Sequence, residues 1–344
     1  VQQLISFISY MISFVIFKIF YKKRILKKNN YILIDTFFLV NKIVDNKKFI
    51  DNYFSGLYEV LDKYNKKYIF LPRLFGVGKK PLTLIKFFKI INDDKRNFLF
   101  EFELLSAKDF LTLLNIIILY PFKTLRLIQE EKIEEDMLFN NELIKDIGNQ
   151  SFDSISRYIF GKNIAKLKNI NIIYSWSEFQ AIERSFNYAI RTNNNKIRLV
   201  GCQFYNNFET YFNSYLEDID FVQKTSSHEV LVNGKYYLLD REKIVYNLGV
   251  SLRCKSVFSF DMFPQGREVV LLGSYLEETK YMLECVSEFE KVIFKCHPIV
   301  NIKQLGKLKN NIHLVDTNIY SLFKKASVII TMSSGTAVEA VACC

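Results

Sequence analysis

Short apolar runs alternate with longer amphipathic stretches throughout residues 265 to 344. The stretches between the runs carry apolar residues at three- and four-residue spacing, which predicts helices, whereas the runs predict buried strands. This alternation is typical of a doubly wound parallel sheet, here a domain over residues 267 to 344. Because the chain stops in a helix, we expect this domain to be incomplete. The predicted strands are 267–275, 291–296, 311–316 and 327–332.

Residues 29 to 262 show the same alternation less regularly and predict a second α/β domain. Residues 50 to 64 and 177 to 191 have the spacing of helices, and a linker is expected at residues 263 to 266. The apolar block 110–122 is too short to span a bilayer and contains Pro121, so a core helix is favoured over an interfacial one. The strands predicted in this domain are 31–35, 67–74, 98–103, 169–176 and 196–204.

The segment 1 to 28 has its own pattern. No charge occurs from residue 1 to 17, and the run looks apolar on all sides, as in a membrane span or a buried helix. Basic residues directly after the run predict that the following chain lies in the cytoplasm and that the cluster attracts anionic headgroups. We therefore expect a membrane anchor, with a buried helix as the alternative. The cluster comprises Lys18, Lys22, Lys23, Arg24, Lys27 and Lys28.

Charge and composition narrow the possible partners. The formal net charge is +11, but more than half of it comes from residues 1 to 30, so a basic groove for nucleic acid is not expected. The chain has three His and six Cys without CxxC spacing, which predicts no protein metal site of the zinc type and free thiols in an intracellular protein. A divalent ion held partly by a substrate's phosphates stays compatible with this composition.

Three strand ends carry the residues that suggest chemistry, because ligands of parallel sheets bind beyond the carboxyl ends of strands. Small hydroxyl residues and a glycine before a helix leave N–H groups that favour a phosphate, although an ordinary helix cap has the same composition. An imidazole at a neighbouring strand end strengthens the phosphate interpretation. The candidates are Gly273, Ser274, His297, Pro298, Ser333, Ser334, Gly335 and Thr336.

The segment KVIFKCHP, followed after about thirty residues by SVIITMSSGTAVEA, resembles the nucleotide-binding half of GT-B glycosyltransferases of bacterial capsule and lipopolysaccharide synthesis. The resemblance implies two Rossmann-like domains, with the acceptor on the amino-terminal one. It also implies that His297, Ser333 and Ser334, with Thr336 beside them, hold the donor's phosphate, often that of CMP. Glu339 matches an acidic position that can reach the donor's sugar or ribose.

The acceptor side offers fewer candidates. Glu178 and Glu183 follow the predicted strand 169–176, and Asp35 ends the first one. Glu178 and Asp35 are the candidate catalytic bases, with a solvated or helix-terminal acid as the alternative for each. Arg253 and Lys295 could neutralise donor phosphate or lie solvated at the surface.

The resemblance implies a glycosyltransferase, and the apolar run with its basic flank predicts that it lies at the cytoplasmic face of the bacterial inner membrane. Its expected partners are a nucleotide-sugar, a glycan or lipid-linked acceptor and an anionic membrane surface; no cofactor is expected beyond the donor. A nucleotide-sugar 2-epimerase is one alternative, although such enzymes usually carry Asp-Ser-Gly-Gly where this chain has Met-Ser-Ser-Gly-Thr at residues 332 to 336. A polyol-phosphate transferase and a non-catalytic membrane-associated interaction protein are the others.

Overall fold

The computed structural model describes the chain apart from a small set of residues and short segments. The chain forms two compact units, Val1–Arg253 and Cys254–Cys344. Residues 263 to 265 of the predicted linker lie outside the described residues. The same is true of Lys23, Arg24, Lys27 and Lys28, the four members of the basic cluster that follow residue 22. The residues not described are 1, 23–29, 76–79, 131, 150–151, 205–214, 250–251, 255, 258–259, 261–265, 299 and 344.

The first unit is built on a six-stranded parallel sheet with the order β2-β1-β3-β4-β5-β6. One face of the sheet packs against an aromatic core that includes Phe38, Phe70 and Phe87, and the other packs against a core that includes Leu33 and Phe186. Helices therefore cover both faces. The strands are β1 Tyr31–Leu39, β2 Tyr68–Phe75, β3 Ile170–Trp176, β4 Arg198–Cys202, β5 Glu229–Val232 and β6 Val245–Leu248.

Ten α-helices are described in this unit, with a short 3-10 turn at Lys235–Tyr237. The predicted helices 50–64 and 177–191 correspond to α3 and α9. The α-helices are α1 Gln2–Phe20, α2 Val40–Asn46, α3 Ser55–Lys63, α4 Pro81–Asp93, α5 Glu101–Leu104, α6 Ala107–Leu125, α7 Glu134–Asn149, α8 Phe152–Ile164, α9 Ala181–Asn193 and α10 Asp218–Val222.

Two strand predictions in this unit need correction. The run 98–103 makes one parallel bridge, from Phe98 to Phe70, and then turns into α5 because the Glu103 carboxylate accepts a hydrogen bond from the Phe100 N–H group. Strand β1 continues past Asp35 to Leu39. Asp35 and Thr36 interrupt the apolar run in the sequence, yet both are buried and bonded to other polar side chains.

The second unit contains a four-stranded parallel sheet with the order β10-β7-β8-β9, which confirms the four predicted strands. Its two faces pack against separate apolar clusters, one with α12 and α13 and one with α11. Short 3-10 turns lie at Val286–Glu288 and Ile302–Leu305. The elements are β7 Glu268–Leu272, α11 Leu276–Cys285, β8 Val292–Lys295, β9 Ile312–Leu314, α12 Ile319–Phe323, β10 Ala326–Ile330 and α13 Thr336–Cys343.

Helix α1 is the one described helix that is long and apolar enough to cross a membrane, with 19 residues and a mean hydropathy of 1.8. Helix α1 also packs against other helices of the first unit. Its Phe17 ring contacts Phe88 and Phe100, and its last turn is fixed because Asn92 donates a hydrogen bond to the Phe20 carbonyl. The opposite face is aliphatic and exposed. That face carries Leu4, Ile8, Ile12, Val15 and Ile19.

Helix α6, predicted as a core helix, is buried on one face only. Its inner face places Phe110, Leu113 and Ile117 in the core. The outer face leaves the apolar side chains of Leu111, Ile118, Phe122 and Leu125 exposed. The helix thus has the core face that was predicted and also an apolar surface.

Candidate functional site

The carboxyl edge of the second sheet carries the predicted donor-site residues that follow strands β7, β8 and β10. Since its four strands are parallel, the loops after β7, β8 and β10 emerge at one edge. The strand order reverses between β7 and β10, so the residues after these two strands flank the crevice where ligands of such sheets bind. Gly273 and Ser274 lie on one side, and Ser333 to Thr336 lie on the other.

His297 lies farther from Ser333 than was predicted, because the two residues were expected at neighbouring strand ends. It follows β8, and β7 lies between β8 and β10. Two strand spacings of about 4.8 Å separate the strand ends by roughly 10 Å. One phosphate group cannot bridge that distance, whereas a nucleotide with several polar groups can.

Gly273 brings the ends of β7 and β8 close together. Its N–H group donates to the Lys295 carbonyl at 2.9 Å, and a Cβ atom added at Gly273 would lie 2.9 Å from the His297 nitrogen. Any larger residue would push the His297 backbone away. Partial burial lowers the pKa of His297, which favours the neutral imidazole, a form that can donate or accept a hydrogen bond. Pro298, next in the chain, is exposed.

Glu278 also lies at this edge, although it was not among the residues predicted from the sequence. The Ser333 hydroxyl donates to its Oε1 atom at 2.9 Å, and hydrogen bonds from Ser274 and Ser333 lower the pKa of the Glu278 carboxyl. The carboxylate therefore takes hydrogen-bond donors that were predicted to hold a phosphate. The signal in the sequence was its place one turn into the helix after β7.

The remaining predicted donor residues begin or line α13. The Ser334 hydroxyl accepts a hydrogen bond from the Thr336 N–H group and lies 2.7 Å from the Thr336 hydroxyl, as a helix cap does. A Cβ added at Gly335 would meet no atom within 4 Å among the described residues beyond its local backbone. Glu339 accepts a hydrogen bond from the Tyr320 hydroxyl of α12. Lys295 pairs with Asp316 at 3.2 Å.

The carboxyl edge of the first sheet holds the other candidate, Glu178, in the turn between β3 and α9. The neighbouring Glu183 carboxylate accepts hydrogen bonds at 2.8 Å from the N–H groups of Glu178 and Phe179. These bonds hold Phe179 in the left-handed region, at φ 58°, which is costly for a bulky residue. Such a conformation persists only where surrounding contacts fix it, so the backbone at Glu178 is rigidly placed.

Burial sets the protonation behaviour of this turn. It raises the pKa of Glu178 to about 7, against the opposing effect of Arg253 and Arg73, and that of Glu183 to about 8. A carboxyl group that titrates near neutral pH can take or give a proton under working conditions. Glu178 is partly exposed and can reach a ligand, whereas Glu183 is buried and serves the backbone.

Asp35, the second predicted base, lies in the middle of β1 rather than at its end. Its side chain is fully buried, 2.5 Å from Arg157 and 2.8 Å from the Ser175 hydroxyl. These contacts are those of a structural ion pair. Trp176 is buried, and His228 accepts a hydrogen bond from the Leu199 N–H group.

The described residues contain no group of three or more His, Cys, Asp or Glu side chains that could hold a metal ion. Comparison with protein families and with curated proteins finds no match to this chain.

Proposed function

We propose that this chain is a glycosyltransferase of the GT-B type, with two Rossmann-like domains, that moves a sugar from a nucleotide donor to a surface glycan or a lipid-linked acceptor. The observation that supports the proposal best is the reversal of strand order between β7 and β10, flanked by Gly273 and Ser274 on one side and by Ser333 to Gly335 on the other. Short loops of small residues at such a point admit a nucleotide. CMP is the favoured nucleotide, from the resemblance of the His-Pro and Ser-Ser segments.

In this proposal the second unit binds the donor. Hydroxyls and N–H groups at the start of α13 hold a phosphate, and the neutral His297 donates a hydrogen bond to the departing nucleotide. In the first unit Glu178 takes the proton of the acceptor hydroxyl. The acceptor oxygen then bonds to the anomeric carbon as the bond from that carbon to the phosphate oxygen breaks.

The proposed location is the cytoplasmic face of a bacterial inner membrane. The exposed aliphatic face of α1 supports it, as do Lys18 and Lys22 at the end of that helix. A lipid-linked acceptor would then be within reach of the first unit.

A non-catalytic interaction protein is the second candidate, and Glu278 favours it. The Glu278 carboxylate accepts a hydrogen bond from the Ser333 hydroxyl, where a donor phosphate is proposed to bind. Such a contact repels an anion unless the carboxylate moves away.

The test is a transfer assay with the full chain, lipid extract and sugars activated by CMP, UDP or GDP, measuring both the nucleotide released and the sugar incorporated. We expect incorporation from a CMP-sugar, and a loss of about 100-fold or more in Glu178→Gln. Glu130→Gln is the control, because Glu130 is an exposed acid of the same unit. Nucleotide binding without incorporation from any donor would favour the interaction protein, and absence of both would reject the proposal.

A further inference from the structure

A cavity of about 610 Å³ lies within the first unit, between α1 and the end of β2. Its volume is in the range of small-molecule sites. The end of β2 belongs to the carboxyl edge of the first sheet, where ligands of parallel sheets bind. Helices α5 and α8 complete its walls with Glu101, Asp153 and Arg157.

Helix α1 contributes a polar stripe to this cavity. Gln2, Ser6, Ser9 and Ser13 recur at four-, three- and four-residue spacing and all line the cavity. The sequence reading, which took α1 as apolar on all sides, overlooked this stripe. A helix whose outer face is aliphatic and whose inner face presents hydroxyls suits a ligand with polar and apolar parts.

Arg73, at the end of β2, is the main cation of the cavity. Its side chain is 12% exposed, and its buried Nη1 atom has no hydrogen-bond acceptor among the described residues. Its nearest acid is Asp153, which is 3.6 Å away and 65% exposed. The guanidinium lies over the rings of Phe37 and Trp176, with centroid distances of 5.1 and 5.0 Å. A cation held in place by aromatic rings and left with a free donor is prepared for an anion.

Two other ionisable groups of the cavity, Arg157 and Glu101, are compatible with a bound anion. Arg157 forms an ion pair with Asp35, and its buried Nε atom has no hydrogen-bond acceptor in the described part of the chain. Burial raises the pKa of Glu101 to about 7, so near neutral pH this carboxyl is protonated in part of the molecules. The neutral form can donate a hydrogen bond to an anion.

We propose that this cavity binds the phosphate group of an anionic ligand, with Arg73 as its principal cation and the hydroxyls of α1 as further donors. An unpaired buried guanidinium N–H group is costly unless a ligand satisfies it, and phosphate matches the guanidinium geometry. The ligand is either a phospholipid-like molecule or a soluble phosphate ester. This binding does not depend on sugar transfer.

Calorimetric titration of the full chain separates the two sources. The probes are dihexanoyl phosphatidic acid, glycerol 3-phosphate and dihexanoylglycerol, which has the same acyl chains as the first but no phosphate. We expect saturable binding of at least one phosphate probe and none of dihexanoylglycerol. Tighter binding of the phosphatidic acid identifies a lipid ligand, and equal binding identifies the phosphate ester alone. Binding of dihexanoylglycerol as tight as that of phosphatidic acid, or no binding of either phosphate probe, would overturn the proposal.

Arg73→Gln should weaken binding of the phosphate probe about 10- to 100-fold. Arg96→Gln is the matched control, because Arg96 lies 3.6 Å from Asp94 and over the Phe49 ring but away from the cavity. Equal affinity in both variants would reject the assignment. Ser6→Leu, which fills the cavity from α1, provides a second test should Arg73→Gln fail to fold. Unchanged affinity in Ser6→Leu would also reject the site.

Discussion

The carboxyl edges of the two parallel sheets differ in how they are built. The first edge gathers charged groups that are wholly or partly buried, such as Arg73, Arg157 and Glu178, on or next to aromatic side chains. The second edge presents Gly273, the hydroxyls of serines and a partly buried neutral imidazole. The first is therefore suited to holding charge and moving protons, and the second to close contact with a ligand through hydrogen bonds.

The largest difference between the edges should appear on removing Arg157. Arg157→Met leaves the buried Asp35 carboxylate without its ion-pair partner, and we expect the free energy of unfolding of the first unit to fall by about 3 to 5 kcal/mol. Urea unfolding followed by fluorescence measures this, because Trp176 is the only Trp and lies in this unit. The double variant Asp35→Leu with Arg157→Met should recover much of the loss. A loss below about 1 kcal/mol in the single variant would show that the pair is not structural.

The pH dependence of stability should also belong to the first unit. Burial raises the pKa of Glu101 to about 7 and that of Glu183 to about 8, from 4.5 in the unfolded chain. Because the folded state then binds more protons, the stability from these groups is fully present below pH 4.5 and is lost as pH rises through 7 and 8. We expect the unfolding free energy, followed by Trp176 fluorescence, to be about 2 kcal/mol or more lower at pH 8 than at pH 5.

Glu101→Gln should reduce this dependence, because the amide cannot ionise. Asp109, whose pKa is lowered by hydrogen bonds from Ser106 despite burial, changes stability below pH 4 and does not affect this range. Equal or greater stability at pH 8 than at pH 5 would contradict the buried state of these carboxyls.

On the second edge, His297→Ala and Ser333→Ala should each weaken nucleotide binding by about 1.5 to 3 kcal/mol, or ten- to hundredfold, because each removes a group proposed to hydrogen-bond to the charged ligand. Calorimetry with CMP measures the loss. His313→Ala is the control, since His313 is an exposed histidine on β9 of the same sheet. Affinities that match the control in both variants would remove these residues from the site.

The smallest expected change is a gain. Glu278→Gln removes a negative charge beside Ser333 and should tighten CMP binding about fivefold, which corresponds to about 1 kcal/mol between charges a few ångströms apart in water. The adjacent Glu277→Gln is the control, because that side chain is exposed and pairs with Lys280. Unchanged affinity in Glu278→Gln would contradict this repulsion and would mean that the wild-type Glu278 carboxylate turns away from the nucleotide when it binds.

The second edge could be predicted from sequence because its residues directly follow regular apolar strands. Gly273, His297 and Ser333 each stand just past a run, and parallel pairing brings such positions to one edge. The strand order was not predicted, so β7 was not expected between the strands of His297 and Ser333. Nothing local to either residue encodes that order.

Glu178 of the first edge was predicted because it follows a strand closely, but the rest of this edge could not be predicted, because distant segments assemble it. Arg73, Glu101 and Arg157 belong to β2, α5 and α8, and no spacing in the sequence brings them together. Buried polar residues also misled the strand assignment at Asp35, because its partner Arg157 lies far along the chain. In α1 the serine stripe was masked by the surrounding apolar residues.

Photo-affinity labelling tests the central claim most directly, namely that the second edge is the nucleotide site. The full chain is irradiated with a photoreactive CMP analogue, and the labelled peptides are mapped by mass spectrometry. We predict labels on peptides that contain Gly273, His297 or residues 333 to 336, suppressed by excess CMP. Labelling confined to residues 1 to 253, or labelling that excess CMP does not suppress, would contradict the account.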